Sequence, residues 1–136
     1  MRKQFFVSTK AAIYSKDLSH VLVIYTDKSL GGVLRYSLPG GHIEDDESPD
    51  QAMARELHEE CGVVVKNLRH IDFFIHCTGS KLVLAFVGTV DNDDLKSQQD
   101  ELEGTPKWLS KSEFEGIRTP IDENYCKLVL NNWPKK

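Results

Sequence analysis

The chain has 136 residues, 40% of them hydrophobic and 28% charged, and a formal net charge of −4. That length suits one domain over residues 1–136, burying about two-thirds of its unfolded surface, and the ordinary globular composition excludes a fibrous or low-complexity protein. The acidic balance, with no lysine–arginine stripe, argues against general nucleic-acid binding. The longest apolar run, Leu82 to Val87, is far too short to span a bilayer.

Residues Phe5 to Tyr14 mix aromatic, β-branched and small side chains and read as a strand. Ser15-Lys16-Asp17 is a turn, and His20 to Tyr25 is a second, largely buried strand. Asp27 to Gly32 is a loop. Val33 to Leu38 alternates loosely and runs into Pro39-Gly40-Gly41, where the backbone must turn sharply.

Ser48-Pro49-Asp50-Gln51 then opens a helix: Ser48 can cap, Pro49 suits the first helical position and Gln51 can close a capping box. Gly62 is the natural stop, since glycine takes a left-handed conformation without cost. The helix therefore spans about residues 49 to 61. At 100° per residue Ala54, Leu57 and Cys61 share an inward face, while Glu56, Glu59 and Glu60 share another. Like charges at i, i+4 repel, and carboxylates in the last turn oppose the helix dipole at roughly 0.3–1 kcal/mol each. A solvated acidic face with an Arg55–Glu59 surface pair is the plain reading. A divalent cation would instead convert the repulsion into coordination by hard oxygen donors.

After the helix, Val63-Val64-Val65 and Leu68 to Ile75 suggest one long or interrupted strand. Lys81 to Val90, apolar on both faces, is the strongest and most central strand. Asp91 to Gly104 is an acidic surface loop. Ser110 and Glu113 form a second capping box, and Thr119-Pro120 starts a C-terminal helix with Ile121, Tyr125 and Leu128 on one stripe. A single mixed α/β domain accounts for this order.

Gly41, Glu47, Arg55-Glu56-Leu57, Glu59-Glu60 and Gly62-Val63, at these spacings, resemble the Nudix box over residues 41–63 without departure. The resemblance implies the Nudix fold, a mixed β-sheet sandwiched between helices (α/β/α), and an enzyme that cuts within the pyrophosphate of a nucleoside diphosphate linked to another group. It implies magnesium, with manganese as a substitute, held by Glu56, Glu59, Glu60 and the Gly40 carbonyl. Glu59 and Glu60 are the firmest ligands, and Glu56 is a ligand or the general base. Arg55 and Glu47 pair to fix the helix. Glu103, in the acidic loop, is the chosen further ligand or base, against the reading of a solvated loop residue. His42, beside the glycine pair, is placed to contact a phosphate, and Tyr36 to stack on a base or support its strand.

Phe74, Phe86 and Trp108 are other stacking candidates, though an aromatic on a central strand is more often core. His20, His58, His70 and His76 show no ligand spacing, and Cys61 reads as core. The signposts of ADP-ribose, dinucleotide, RNA-decapping and coenzyme A relatives are missing, which leaves similarity to short nucleoside triphosphate pyrophosphohydrolases, including those acting on oxidised nucleotides. ADP-ribose, a nucleotide sugar, a dinucleotide, or a non-catalytic nucleotide-binding regulator are the alternatives. Cys61, Cys77 and Cys126 form no CxxC, and no signal-peptide pattern precedes them, so reduced thiols in the cytoplasm are expected. The expected partner is a small nucleotide, with no membrane, and the chain a monomer or homodimer.

Overall fold

The computed structural model describes residues 4–26, 35–76, 79–96, 104–118 and 121–135. Among these residues six strands form one sheet: β1 (Phe6–Tyr14), β2 (His20–Tyr25), β3 (Tyr36–Ser37), β4 (Val65–Ile75), β5 (Lys81–Val90) and β6 (Thr105–Ser110). Among the described residues three helices accompany it: α1 (Pro49–Cys61), α2 (Lys111–Glu115) and α3 (Glu123–Asn131). Strand β5 runs parallel to β1 from Phe6↔Lys81 to Tyr14↔Thr89 and antiparallel to β4, so it is central, as its apolar pattern requires.

Alternation along the central strands divides the core in two. Ala11, Ile13 and Phe86 pack toward Met53, Leu57 and Cys61 of α1. Ala12, Tyr14, Ala85 and Val87 pack toward Phe114, Tyr125, Leu128 and Val129 on the other side. The expected α/β/α sandwich is therefore present. Each fully buried leucine or phenylalanine in either layer contributes about 1.5–3 kcal/mol.

One departure from a regular sheet positions the site. Strands β1 and β2 pair only at Tyr14↔Val21. Beyond that point they part, and the segment from Tyr36 to His42 enters the gap. Its first half pairs with β2 through Ile24↔Ser37 and Tyr25↔Tyr36. Its second half meets β1, with Ala11 N donating to the Pro39 carbonyl (3.1 Å), Thr9 N to the Gly41 carbonyl (2.8 Å), and a bridge at Ser8↔His42. The Pro39-Gly40-Gly41 turn is thus built into the sheet.

Several local expectations need correction. The stretch around Trp108-Leu109, to which the sequence pattern assigns no element, is a strand, β6, paired along β2 from His20↔Ser110 to Tyr25↔Thr105. Of the loosely alternating stretch Val33 to Leu38, only Tyr36–Ser37 forms a strand within the described part, because the chain leaves β2 to join β1. The C-terminal helix begins at Glu123, where Asp122 caps it by accepting from Asn124 N (2.8 Å); Thr119 and Pro120 lie outside the described residues, as do the Asp27–Gly32 loop and Cys77. Ala54 is exposed, because the inward stripe of α1 is centred one residue earlier on Met53, Leu57 and Cys61, with Ala52 beside it. Among the described residues no helix is long and apolar enough to cross a membrane.

Candidate active site

Helix α1 is held at both ends by the groups its sequence supplies. Ser48 Oγ accepts from Gln51 N (3.2 Å) and Gln51 Oε1 accepts from Ser48 N (2.9 Å), closing the capping box. Gly62 takes the left-handed conformation (φ 69°), and its N–H donates to the His58 carbonyl. The helix therefore starts and stops where short-range chemistry dictates, which sets the phase of its glutamates.

Arg55 organises the exposed side of that helix. Its Nε donates to Glu47 Oε2 (2.7 Å) and its Nη2 to Glu47 Oε1 (3.0 Å), a two-pronged bond to one carboxylate. Nη1 bridges Glu56 Oε1 (3.1 Å) and Glu59 Oε2 (3.2 Å), and Nη2 also reaches the His42 carbonyl (3.2 Å). The hydrogen bond to Glu47 raises the guanidinium pKa above its usual value. The same bond, with a second from Glu44 N, holds the Glu47 carboxyl below its usual range. The expected Arg55–Glu47 pair is present, half-buried, and enlarged by Glu56 and Glu59.

Glu60 behaves differently from its two neighbours. It lies seven residues after Met53, so it shares the apolar stripe and is 9% exposed, whereas Glu59 is exposed. The expectation of one shared acidic face fails on this phase difference. Glu60 Oε1 accepts from Gly40 N (2.7 Å). Burial pushes its carboxyl up to about 7; Lys10 and the Gly40 N–H pull the other way, while Glu56, within hydrogen-bonding reach of it, pushes further. Lys10 projects from β1 into the same neighbourhood, with Nζ donating to the Leu38 carbonyl (3.0 Å) and Ser37 Oγ (3.4 Å). Burial lowers its ammonium pKa, and Glu60 opposes that.

Sequence reasoning missed Lys10. The available signal is one lysine inside an otherwise uncharged strand, Ser8-Thr9-Lys10-Ala11-Ala12.

The glycine pair admits these carboxylates. A Cβ at Gly41 would meet the Glu56 carboxyl, and one at Gly40 (φ 146°) would collide with the Thr9 carbonyl. The Glu56 and Glu60 carboxyls, within hydrogen-bonding reach of each other, offer the hard oxygen donors that divalent cations take, and Glu60 is oriented by the Gly40 N–H. Glu59 stands apart on Arg55, and among the described residues no three histidine, cysteine, aspartate or glutamate side chains converge on one point.

The remaining candidates separate clearly. Tyr36 lies half-buried against Tyr25, ring centroids 5.0 Å apart. The exposed His42 ring sits 5.9 Å from that of Phe6. Glu103, like Glu101, falls outside the described residues. Phe86 and Cys61 are wholly buried, Phe74 and Trp108 pack on the core, and His58 is exposed.

A NUDIX domain family model matches residues 6–129. The chain is 34% identical over 86 residues to the NAD-capped RNA hydrolase NudC of Chromobacterium violaceum, covering 63% of this chain and 32% of that protein. It is 44% identical over 41 residues to the 8-oxo-dGTP diphosphatase of Proteus vulgaris, covering 30% of this chain and 37% of that one. A NUDIX-family hydrolase structure from Clostridium perfringens superposes with a TM-score of 0.74 at 22% identity, covering 94% of this chain and 95% of that one, a likeness of fold. The chain spans about a third of the length of the NudC relatives it matches.

Proposed function

The chain belongs to the NUDIX family, and on that premise we propose that it hydrolyses the pyrophosphate bond of a nucleoside diphosphate derivative. The preferred substrate is a nucleoside triphosphate, oxidised forms included, which with water gives the monophosphate and pyrophosphate. Hydrolases of this family generally use divalent metal ions; magnesium is proposed here, with manganese able to replace it. The observation that carries this reading is the meeting of the Glu56 and Glu60 carboxyls beside Gly40. Two carboxylates in a half-buried site need a shared proton or a cation between them.

Glu56, Glu60 and the Gly40 carbonyl would hold the ion, with Glu59 joining by leaving Arg55. A divalent ion supplies charge to offset the diphosphate and makes an attacking water more acidic. The other tasks fall to the chain. Arg55, anchored on Glu47, fixes the phase of the glutamates. Glu56 has the alternative role of accepting the water's proton. Lys10 ties the glycine turn to β1. Glu103 is proposed as a further base or ligand, His42 as a phosphate contact and Tyr36 as a base contact. The free thiols Cys61 and Cys126 fit a reducing, cytoplasmic setting.

A second reading, hydrolysis of an NAD-type dinucleotide, is favoured by the NudC relatives. The test is a phosphate-release and product screen over nucleoside triphosphates, 8-oxo-dGTP, ADP-ribose and NAD, with and without magnesium. Glu59→Gln and Glu60→Gln run beside the parent. Both variants should lose turnover while keeping the fold by circular dichroism. Parent-like rates in either would overturn its assignment as ligand, and a parent inert on every pyrophosphate would favour a nucleotide-binding regulator.

A further inference from the structure

Away from the glutamates, on the face of the sheet covered by α3, two neighbouring cavities of about 440 and 350 Å³ share Arg69 and Asn132 as lining residues. They form one groove between β4 and α3. Its size falls within the range typical of small-molecule sites, roughly 300–1,000 Å³. The larger lobe has an apolar floor of Ile71, Phe74 and Leu128.

The polar lining is unusual for this chain. Of its five asparagines, four line the groove: Asn67, Asn124, Asn131 and Asn132. Arg69 on β4 and Lys127 on α3 also line it, and among the described residues neither is in an ion pair, although Asp72 lines the same lobe. Among the described residues, two cations outside any ion pair thus stand on the β4 and α3 walls of the groove, with Asp72 the acidic side chain among the lining residues.

The backbone of the strand wall is also irregular. The β4–β5 ladder slips between Lys66 and Arg69, and Asn67 takes a left-handed conformation (φ 54°) inside that slip. Such bulges re-aim side chains and recur beside binding sites. Asn132 spends its Nδ2 on the Leu128 carbonyl (2.8 Å) and Asn124 on that of Ile75 (3.4 Å), which leaves both Oδ1 atoms as acceptors.

We propose that this groove is a second binding site, separate from the carboxylates, for a nucleoside monophosphate. Arg69 and Lys127 would take the phosphate, and the carboxamides the donor and acceptor edge of the base. The site asks for no metal, and it stands independently of the hydrolytic reading.

Isothermal titration of the full chain in EDTA with AMP, GMP, CMP and UMP tests it, with adenosine and inorganic phosphate as separate arms. A nucleotide should bind saturably in the parent and equally in Glu60→Gln. Arg69→Gln, at an exposed strand position, should weaken it about tenfold or more, and Asn131→Ala should change the order of preference among bases. Overturning results are no nucleotide binding, binding that needs Glu60 but not Arg69, or inorganic phosphate or adenosine binding as tightly as the nucleotide. A parent that turns over nothing yet binds a monophosphate in EDTA through Arg69 would remove the hydrolytic reading and keep this one.

Discussion

The two faces of the sheet are covered by helices held in opposite ways. Helix α1 buries Met53, Leu57 and Cys61, yet carries Glu60 into the same layer and ties Glu47, Glu56 and Glu59 to one arginine. Helix α3 is held by Tyr125, Leu128 and Val129, with the Tyr14 hydroxyl donating to the Val129 carbonyl (2.8 Å), while the buried carboxylate of Asp122 sits at its N-cap and accepts from Asn124 N (2.8 Å). One helix is positioned by charge at a cost in burial, the other by apolar area. Stability and chemistry should therefore separate when each side is altered.

The largest change is expected on the α3 side. Tyr125 is 2% exposed and meets the rings of Phe74 and His76 at 5.8 and 5.9 Å. Tyr125→Ala should cost about 3–5 kcal/mol in chemical denaturation, with kcat per folded molecule nearly unchanged; an equal fall in kcat would erase the division between the faces.

Glu60→Gln is the converse. It should slow turnover roughly 10²–10³-fold or more, while the metal-free variant melts no lower than the parent, because a buried amide costs less than a buried carboxylate. A large drop in Tm would make Glu60 a structural residue.

Arg55→Lys comes next. A lysine cannot make the two-pronged bond to Glu47 while bridging Glu56 and Glu59. Turnover should fall about 10–100-fold, as for residues that orient ligands, with the deficit in kcat and not in KM. Ser48→Ala removes a cap on α1 and should cost about 1 kcal/mol in stability, leaving the α3 side untouched; matched hydrogen-exchange rates on α3 would confirm it.

The smallest effect concerns pH. Burial lowers the His76 pKa, partly opposed by Asp122, whose Oδ2 lies 3.6 Å from Nε2. The unfolded chain then binds the extra proton first, so this contribution to stability is present above about 6.5, the usual histidine value, and is lost as pH falls from there to the lower folded value. His76→Gln should flatten that part of the stability profile measured by urea denaturation. An unchanged slope between pH 7 and 5 would remove His76 from the account.

Much of the site was legible because it depends on spacing along one helix. The capping box at Ser48 and the stop at Gly62 were readable, since backbone geometry over a turn or two settles them, whereas the Glu47–Arg55 pair came from the family resemblance. The glutamates were less so: a helical wheel places Glu56, Glu59 and Glu60 relative to one another, but which side meets the sheet depends on where the stripe is centred, and it is centred on Met53. Strand β6 was missed because Thr105–Ser110 alternates weakly, and its assignment rests on pairing with β2 some eighty residues earlier.

From the order of residues alone came the limits of α1, the interior place of β5 and a motif whose family resemblance implied the sandwich of helices about a sheet. The first two rest on periodicity, capping and turn chemistry, which act between near neighbours. The folded chain decided that β1 and β2 part to admit the Gly40–Gly41 turn, that the Lys10 ammonium lies close enough to Glu60 to influence its charge, and that four scattered asparagines line one groove. Such meetings join residues tens of positions apart, and they follow from strand pairing and from which way each strand faces, quantities that no short stretch of sequence contains.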